Sequence, residues 1–267
     1  MNPGNPQIRV GVGGWTYEPW RNNFYPAGLA HDRELEYASR QLTMIEVNGT
    51  YYSSQKPATF AKWRGETPEG FLFSLKASRF ATNRRVLAEA GESVERFCGS
   101  GIVELGDKLG PIVWQFAPTK RFDAADFEAF VKLLPAQVGG VALRHVLDVR
   151  HESFRSADFL SLARRRRVAT VFTDSDNHPT FADVTGEFIY ARLMRTEASL
   201  PEGCTPAAFG QLAACAQVWR GGGEPADLPR VEPTAAPGAP RDVFIFFISG
   251  AKEKAPAAAM ALLRELR

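Results

Sequence analysis

Cysteine and histidine are scarce in this sequence. The three cysteines, Cys98, Cys204 and Cys215, are widely spaced and odd in number, which fits neither a disulfide framework nor a zinc cluster. They read as buried or inert thiols of a reducing, cytoplasmic compartment. Four histidines are few for a multi-metal hydrolase, so no metal site is expected, and the sequence leaves any cofactor unknown. Long apolar runs are missing too, since none approaches the ~18 residues of a membrane span. The polar start, Met1 to Val10, lacks the charged-then-apolar run of a secretory signal, and residues 1–7 read as a flexible tail. Neither sign of charge dominates: 32 Lys+Arg against 30 Asp+Glu leave +2, too mild to indicate a nucleic-acid or membrane partner.

What is present is 267 residues, 45% of them hydrophobic. That describes one globular domain spanning the chain, with a core that needs no staple at this size. Short apolar runs bounded by Gly, Pro or charge read as strands at Ile8 to Gly13, Met44 to Asn48, Phe71 to Lys76, Ile112 to Phe116, His145 to Val149, Val168 to Thr173, Phe188 to Arg192 and Val243 to Ile248. Amphipathic stretches of helical length lie between most of them: Asp32 to Gln41, Ala58 to Gly65, Glu92 to Leu109, Asp123 to Leu134, Ser156 to Arg167, Thr205 to Arg220 and Glu253 to Leu266. In the fourth, Phe127, Phe130, Val131 and Leu134 line one face, and Asp123 stands where an N-cap belongs.

Eight strand–helix units in about 250 residues fit an α/β TIM (β/α)8 barrel. No G-x-G-x-x-G fingerprint follows the first strand, and a tight turn accounts for Gly11, Gly13 and Gly14. Asp174 to Glu187, between strands six and seven, has little helical period and reads as a loop in place of a helix. Arg220 to Arg241, with five Pro and four Gly, reads as a long flexible connection before strand eight.

Side chains of a parallel barrel strand alternate between the interior and the helices. If the set that ends in a polar residue points inward, the strand ends place Glu46, Asn48, Ser74, Lys76, Gln115, Asp148, Arg150, Asp174, Tyr190 and Arg192 at the C-terminal mouth. This ring sets Lys76, Arg150 and Arg192 against Glu46, Asp148 and Asp174, and it is either a ligand site or a set of mutually paired charges. Trp15, Tyr17, Trp20, Tyr51 and Tyr52 follow strands one and two, where they serve as a ligand wall or as loop anchors. Arg150 suits the grip of a phosphate or carboxylate, and His151 beside it either moves protons or caps the next helix. Glu46 and Asp174 are candidate general acid and base, though strands two and six lie far apart. The run Arg164 to Arg167 falls at the opposite rim and reads as a solvated face. Lys252 and Lys254 open the last helix, where they could join a phosphate site.

These strand ends carry a resemblance. Gly13-Gly14-Trp15-Thr16-Tyr17, Trp20, Phe24-Tyr25-Pro26 and Glu46-Val47-Asn48-Gly49-Thr50-Tyr51-Tyr52 resemble the opening of the YecE-like family, domain of unknown function 72. Trp63, Thr67-Pro68, Lys76-Ala77-Ser78-Arg79, Lys108-Leu109-Gly110, Gln115-Phe116-Ala117-Pro118, Val149-Arg150-His151-Glu152-Ser153-Phe154 and Tyr190-Ala191-Arg192-Leu193 continue it in order. The resemblance implies a TIM barrel and no established activity. It implies mouth positions at Trp15, Tyr17, Glu46, Asn48, Tyr51, Lys76, Arg150, His151, Asp174, Tyr190 and Arg192. The chain departs from the family where Asn83 replaces a usual His, where Met194-Arg195 replaces His-Gly, and where Ile248-Ser249-Gly250 replaces a pair of Asn.

Three functions fit these readings. One is a hydrolase or lyase acting on an anionic sugar- or phosphate-containing small molecule, with Trp15, Tyr17, Asn48, Tyr51, Lys76, Gln115, Arg150, Tyr190 and Arg192 binding and Glu46, Asp174 or His151 moving protons. Another is a nucleic-acid-binding or phosphodiesterase-type barrel resembling endonuclease IV by fold analogy alone. The third is a barrel that binds without catalysis.

Overall fold

Eight parallel strands close on one another in the computed structural model, which describes residues 6–233 and 238–267. They are β1 (Ile8–Gly13), β2 (Met44–Val47), β3 (Leu72–Lys76), β4 (Leu109–Gln115), β5 (His145–Asp148), β6 (Ala169–Thr173), β7 (Phe188–Leu193) and β8 (Asp242–Phe247), neighbouring in sequence order with β8 against β1. The chain is thus a single-domain α/β barrel of the TIM type, with all eight strands where the sequence places them to within a few residues. The principal helices are α1 (Glu34–Gln41), α2 (Pro57–Glu66), α3 (Gly91–Cys98), α4 (Ala124–Leu133), α5 (Ala157–Arg165), α6 (Pro206–Arg220) and α7 (Ala255–Glu265). Asp123, Ser156 and Thr205 cap α4, α5 and α6 by accepting the amides of Asp126, Phe159 and Ala208.

Two dry layers result from the alternation along the strands. Met44, Leu72, Val113, Val146, Val171, Phe188, Tyr190, Phe244 and Phe246 fill the barrel. Ile45, Phe73, Trp114, Leu147, Phe172, Ile189 and Ile245 face the helices and join the larger outer core. Gly11 belongs to the packing rather than to a turn: a Cβ there would lie 1.9 Å from the Met44 carbonyl oxygen. Of Gly11, Gly13 and Gly14, Gly14 alone, at φ 78°, has the left-handed backbone that a tight turn requires.

Several local departures have physical causes. The stretch Glu92 to Leu109 is not one helix; α3 stops at Cys98, Gly101 takes φ 100°, and a 3-10 segment, Ile102–Lys108, leads into β4. β4 begins early, at Leu109, and its register with β3 shifts between Phe73 and Leu75, where Pro111 has no amide to pair. Val138-Gly139-Gly140-Val141 forms a small hairpin, Gln137–Val138 with Val141–Ala142, whose two glycines supply the positive φ of a two-residue turn. No helix or strand interrupts 174–187, as its composition indicates. Of the flexible tail, residues 1–5 lie outside the described residues, while Gln7 is tied to β8 through Asp242 and Val243. In the connection 220–241, residues 234–237 also lie outside them, and the amides of Val231 and Glu232 are held by the Asp183 carboxylate.

The arginine run at the end of α5 is more engaged than a solvated face. Arg164, Arg166 and Arg167 pair with Glu232, Glu128 and Glu187. Such partly exposed pairs contribute little stability but do not leave a free basic patch. All three cysteines are free, and burial pushes the Cys98 thiol up to about 12, so it stays a thiol at neutral pH. Among the described residues no helix is long and apolar enough to cross a membrane.

Candidate functional site

The register of the barrel brings the polar strand ends to one level. Gly13 pairs with Glu46, Glu46 with Ser74, Gln115 with Asp148, and Thr173 with Arg192. Above the apolar interior, this level forms one connected network. Glu46, 0% exposed, accepts from Arg192 Nη2 at 3.0 Å on Oε1 and from the Tyr190 hydroxyl at 2.8 Å on Oε2. Arg192 Nη1 reaches Asp148 Oδ2 at 2.7 Å, and Arg150 Nη2 donates to the same oxygen at 3.0 Å and to Gln115 Oε1 at 2.8 Å. Ser74 Oγ donates to the Pro111 carbonyl and lies 2.7 Å from the Tyr190 hydroxyl.

Electrostatics follows from this pairing. Burial alone would raise Asp148, but Arg192 and Arg150 hold its carboxyl below the ordinary value. Burial works against the Arg192 cation, and Glu46 and Asp148 outweigh it, so the guanidinium is locked in its charged form. Burial and the neighbouring Glu46 carboxylate raise Tyr190 far above an ordinary phenol, leaving it a proton donor.

Lys76 differs from the other ring members. It is 8% exposed, forms no hydrogen bond or ion pair among the described residues, and its Nζ stands 5.1 Å from the centre of the Tyr51 ring. Burial pulls its ammonium down to about 8 against the partial support of Glu46, and Arg192 lowers it further.

A separate cleft of about 260 Å³ opens at the ends of β1 and β2. Trp15, Tyr17, Asn48, Gln55, Trp63 and Lys252 line it, while the charged ring residues do not. Trp15 meets Trp63 edge-on at 5.1 Å, and Lys252 Nζ lies 4.4 Å over the Tyr17 ring. Trp20, fully buried, is an anchor: its Nε1 donates to the Lys252 carbonyl, and Tyr17, Phe24 and Tyr25 pack around it. Asn48 lies two residues past Glu46, so cleft and ring adjoin along β2.

The structure gathers Glu46, Lys76, Gln115, Arg150, Tyr190 and Arg192 as the alternation predicts, sets Tyr51 beneath Lys76, and places Trp15, Tyr17 and Asn48 in the cleft. Two expected proton carriers fall elsewhere. In β6 the inward residues are Ala169 and Val171, while Phe172 packs outward on Trp219, so Asp174 has the outward parity. Its Oδ1 accepts the Met194 amide at 2.6 Å, and burial raises its pKa. His151 Nδ1 accepts the Ser153 amide at 3.1 Å and so caps the 3-10 turn Glu152–Phe154. No hydrogen bond or ion pair joins Glu46, Asp174 and His151 among the described residues.

A different histidine lies within electrostatic range of the network. His178, in the helix-free segment after β6, has a buried Nδ1 without a partner among the described residues. Burial depresses its pKa first, the Arg150 cation depresses it further, and Asp148 and Arg192 also act on it. It is therefore neutral at pH 7. Nothing periodic marks Ser175-Asp176-Asn177-His178-Pro179; the only signal is a histidine in a loop that replaces a barrel helix at the mouth. Among the described residues no three His, Cys, Asp or Glu side chains converge as metal ligands.

A closed parallel barrel whose C-terminal mouth holds a buried ring of paired charges is a TIM-type (β/α)8 protein. The chain belongs to the family described as protein of unknown function DUF72, whose pattern matches residues 9–267, in keeping with its strand-end motifs. The DUF72 family protein TM1631 of Thermotoga maritima MSB8 superposes with a TM-score of 0.73 at 18% identity, covering 97% of this chain and 99% of that one. A DUF72 family protein of Enterococcus faecalis V583, EF0366, gives 0.69 at 15% identity over 97% and 95%. UPF0759 protein YunF of Bacillus subtilis (strain 168) is 27% identical over 158 residues, 57% of this chain and 54% of YunF, so the match spans about half of that relative.

Proposed function

We propose that the mouth binds an anionic small molecule containing a sugar or phosphate group and that the chain acts on it as a hydrolase or lyase. The observation that carries this reading is charge balance. With Asp174 turned away, three cations, Lys76, Arg150 and Arg192, face two carboxylates, Glu46 and Asp148, and both carboxylates are already taken by the arginines. Lys76 is the cation left over, and an anion completes the set. The aromatic cleft beside it offers ring faces, an amide and Lys252, which suits the body of a small sugar.

In this reading Arg150, the more accessible of the two guanidinia, meets the anion together with Lys76. Glu46 is tied on both oxygens and serves to fix Arg192 and Tyr190. His178, neutral and unpartnered at Nδ1, takes the proton-carrying part first assigned to His151. A thermal-shift screen of sugar phosphates and carboxylates tests the proposal. A ligand at 100 times its Kd stabilises by about 2.7 kcal/mol. The shift is expected for the native chain and is expected to vanish in Arg150→Ala; ligands that stabilise both equally bind elsewhere.

A nucleic-acid partner is the second reading. It is favoured by the shallow surface between the loops after β3 and β4, where Arg84, Arg85 and Arg121 gather beside Lys120, itself paired with Asp126. Its signature is affinity that falls steeply with salt.

A further inference from the structure

Two lysines of this chain have the same small exposure, and their hydrogen-bonding surroundings differ. Lys108, 8% exposed, donates to the Arg64 carbonyl at 2.7 Å, to the Thr67 carbonyl at 2.5 Å and to Thr67 Oγ1 at 3.1 Å. All three ammonium protons have acceptors, as a structural lysine requires. Lys76, also 8% exposed, has no hydrogen-bond acceptor among the described residues. A largely buried ammonium without protein acceptors gives up much of its hydration and gains the face of Tyr51. Its charged neighbours are Glu46 on the adjoining β2 and, from strands further around the barrel, Asp148, Arg150 and Arg192, and each carboxylate among them is neutralised by an arginine. The fold therefore makes the neutral amine more available than in an ordinary lysine, at the C-terminal end of a barrel strand, the face where barrels of this type place their chemistry.

Building on the anion-binding reading, we infer that Lys76 is a covalent nucleophile that forms an imine with a small aldehyde or ketone bearing a phosphate or carboxylate. The Nζ lone pair attacks the carbonyl carbon, the C–N bond forms, and one amine proton passes to the carbonyl oxygen to give a carbinolamine. The second amine proton leaves with that hydroxyl as water, the C–O bond breaks, and the C=N bond is complete. No oxidant, reductant or metal is needed, and one water is released per imine. Arg150 holds the anionic group, and the cationic surroundings resist protonation of the free amine before attack. An imine draws electrons from bonds next to the former carbonyl carbon, which is the chemistry of a lyase and selects that half of the proposed activity over hydrolysis.

Pyridoxal 5′-phosphate, an aldehyde with a phosphate, is the probe. The native protein is incubated with it at pH 7, reduced with sodium borohydride, digested, and the modified lysines are mapped by mass spectrometry over time. A pKa near 8 leaves about a tenth of the Lys76 amines neutral at pH 7, against well under a thousandth for an ordinary lysine. Lys76 is thus expected to label at least ~tenfold faster than the exposed Lys62 and Lys132, with the rate rising to a plateau above pH 8. Labelling of the surface lysines with Lys76 spared would overturn the inference. The Arg150→Ala variant separates the two claims. Slower labelling of Lys76 there supports both, whereas undiminished labelling keeps the nucleophile and removes the anion grip. Phosphate that stabilises the native fold but not Arg150→Ala, with Lys76 unlabelled, keeps the anion site and removes the nucleophile.

Discussion

Arg192 and Glu46 meet inside the barrel at 3.0 Å, from β7 and β2, three strands apart around the closed sheet. Neither side chain has more than marginal access to water, so each is the other's solvation. The pair is held from both sides, by Tyr190 on the second oxygen of Glu46 and by Asp148 on the second nitrogen of Arg192.

Removing one member strands the other. Arg192→Met or Glu46→Leu alone is expected to cost about 3–5 kcal/mol, measured by urea unfolding. The double variant is expected to cost clearly less than the sum, because no uncompensated charge remains. Additive losses would show that the two do not depend on each other.

Acid and base should act through different residues. Asp148 has a folded pKa below its unfolded value of about 3.9, so its contribution is complete above that pH and is lost as pH falls through the lower folded value. Lys76 behaves in the opposite sense. Its folded value of about 8 lies below the unfolded value of about 10.4, so the unfolded chain binds more protons between them and stability rises with pH across that window. At pH 7 the buried ammonium is a cost, and Lys76→Met is expected to stabilise the protein by about 1–3 kcal/mol while abolishing the ligand-induced thermal shift. A destabilised Lys76→Met variant would mean that the ammonium has a partner in the folded protein.

The two tryptophans of the first loop should separate. Trp20→Ala removes a fully buried anchor and is expected to cost about 3–5 kcal/mol in chemical denaturation. Trp15→Ala, at the wall of the cleft, is expected to cost less stability and to weaken ligand binding instead. Equal stability losses with unchanged binding would place Trp15 with the anchors.

The parts that sequence made legible were those where polarity alternates. In β2 and β7 the polar inward residues, Glu46, Tyr190 and Arg192, contrast with apolar outward neighbours, and both strands face as the pattern indicates. In β6 no such contrast exists: Ala169, Val171 and Phe172 are apolar on both faces, so the terminal Asp174 misplaced the phase. The break in Glu92 to Leu109 was written in Gly99 and Gly101, which the apolar period overrode. His178 was out of reach, because a coil segment carries no period from which a direction can be drawn. The unpaired state of Lys76 was equally hidden, since it depends on where Asp174 is not.

Lysine carbon NMR of Lys76, titrated with and without inorganic phosphate, tests the unpaired-cation claim directly. A midpoint near 8 without phosphate, moving upward when phosphate is added, is the expected result. A midpoint near the ordinary lysine value, indifferent to phosphate, would contradict it.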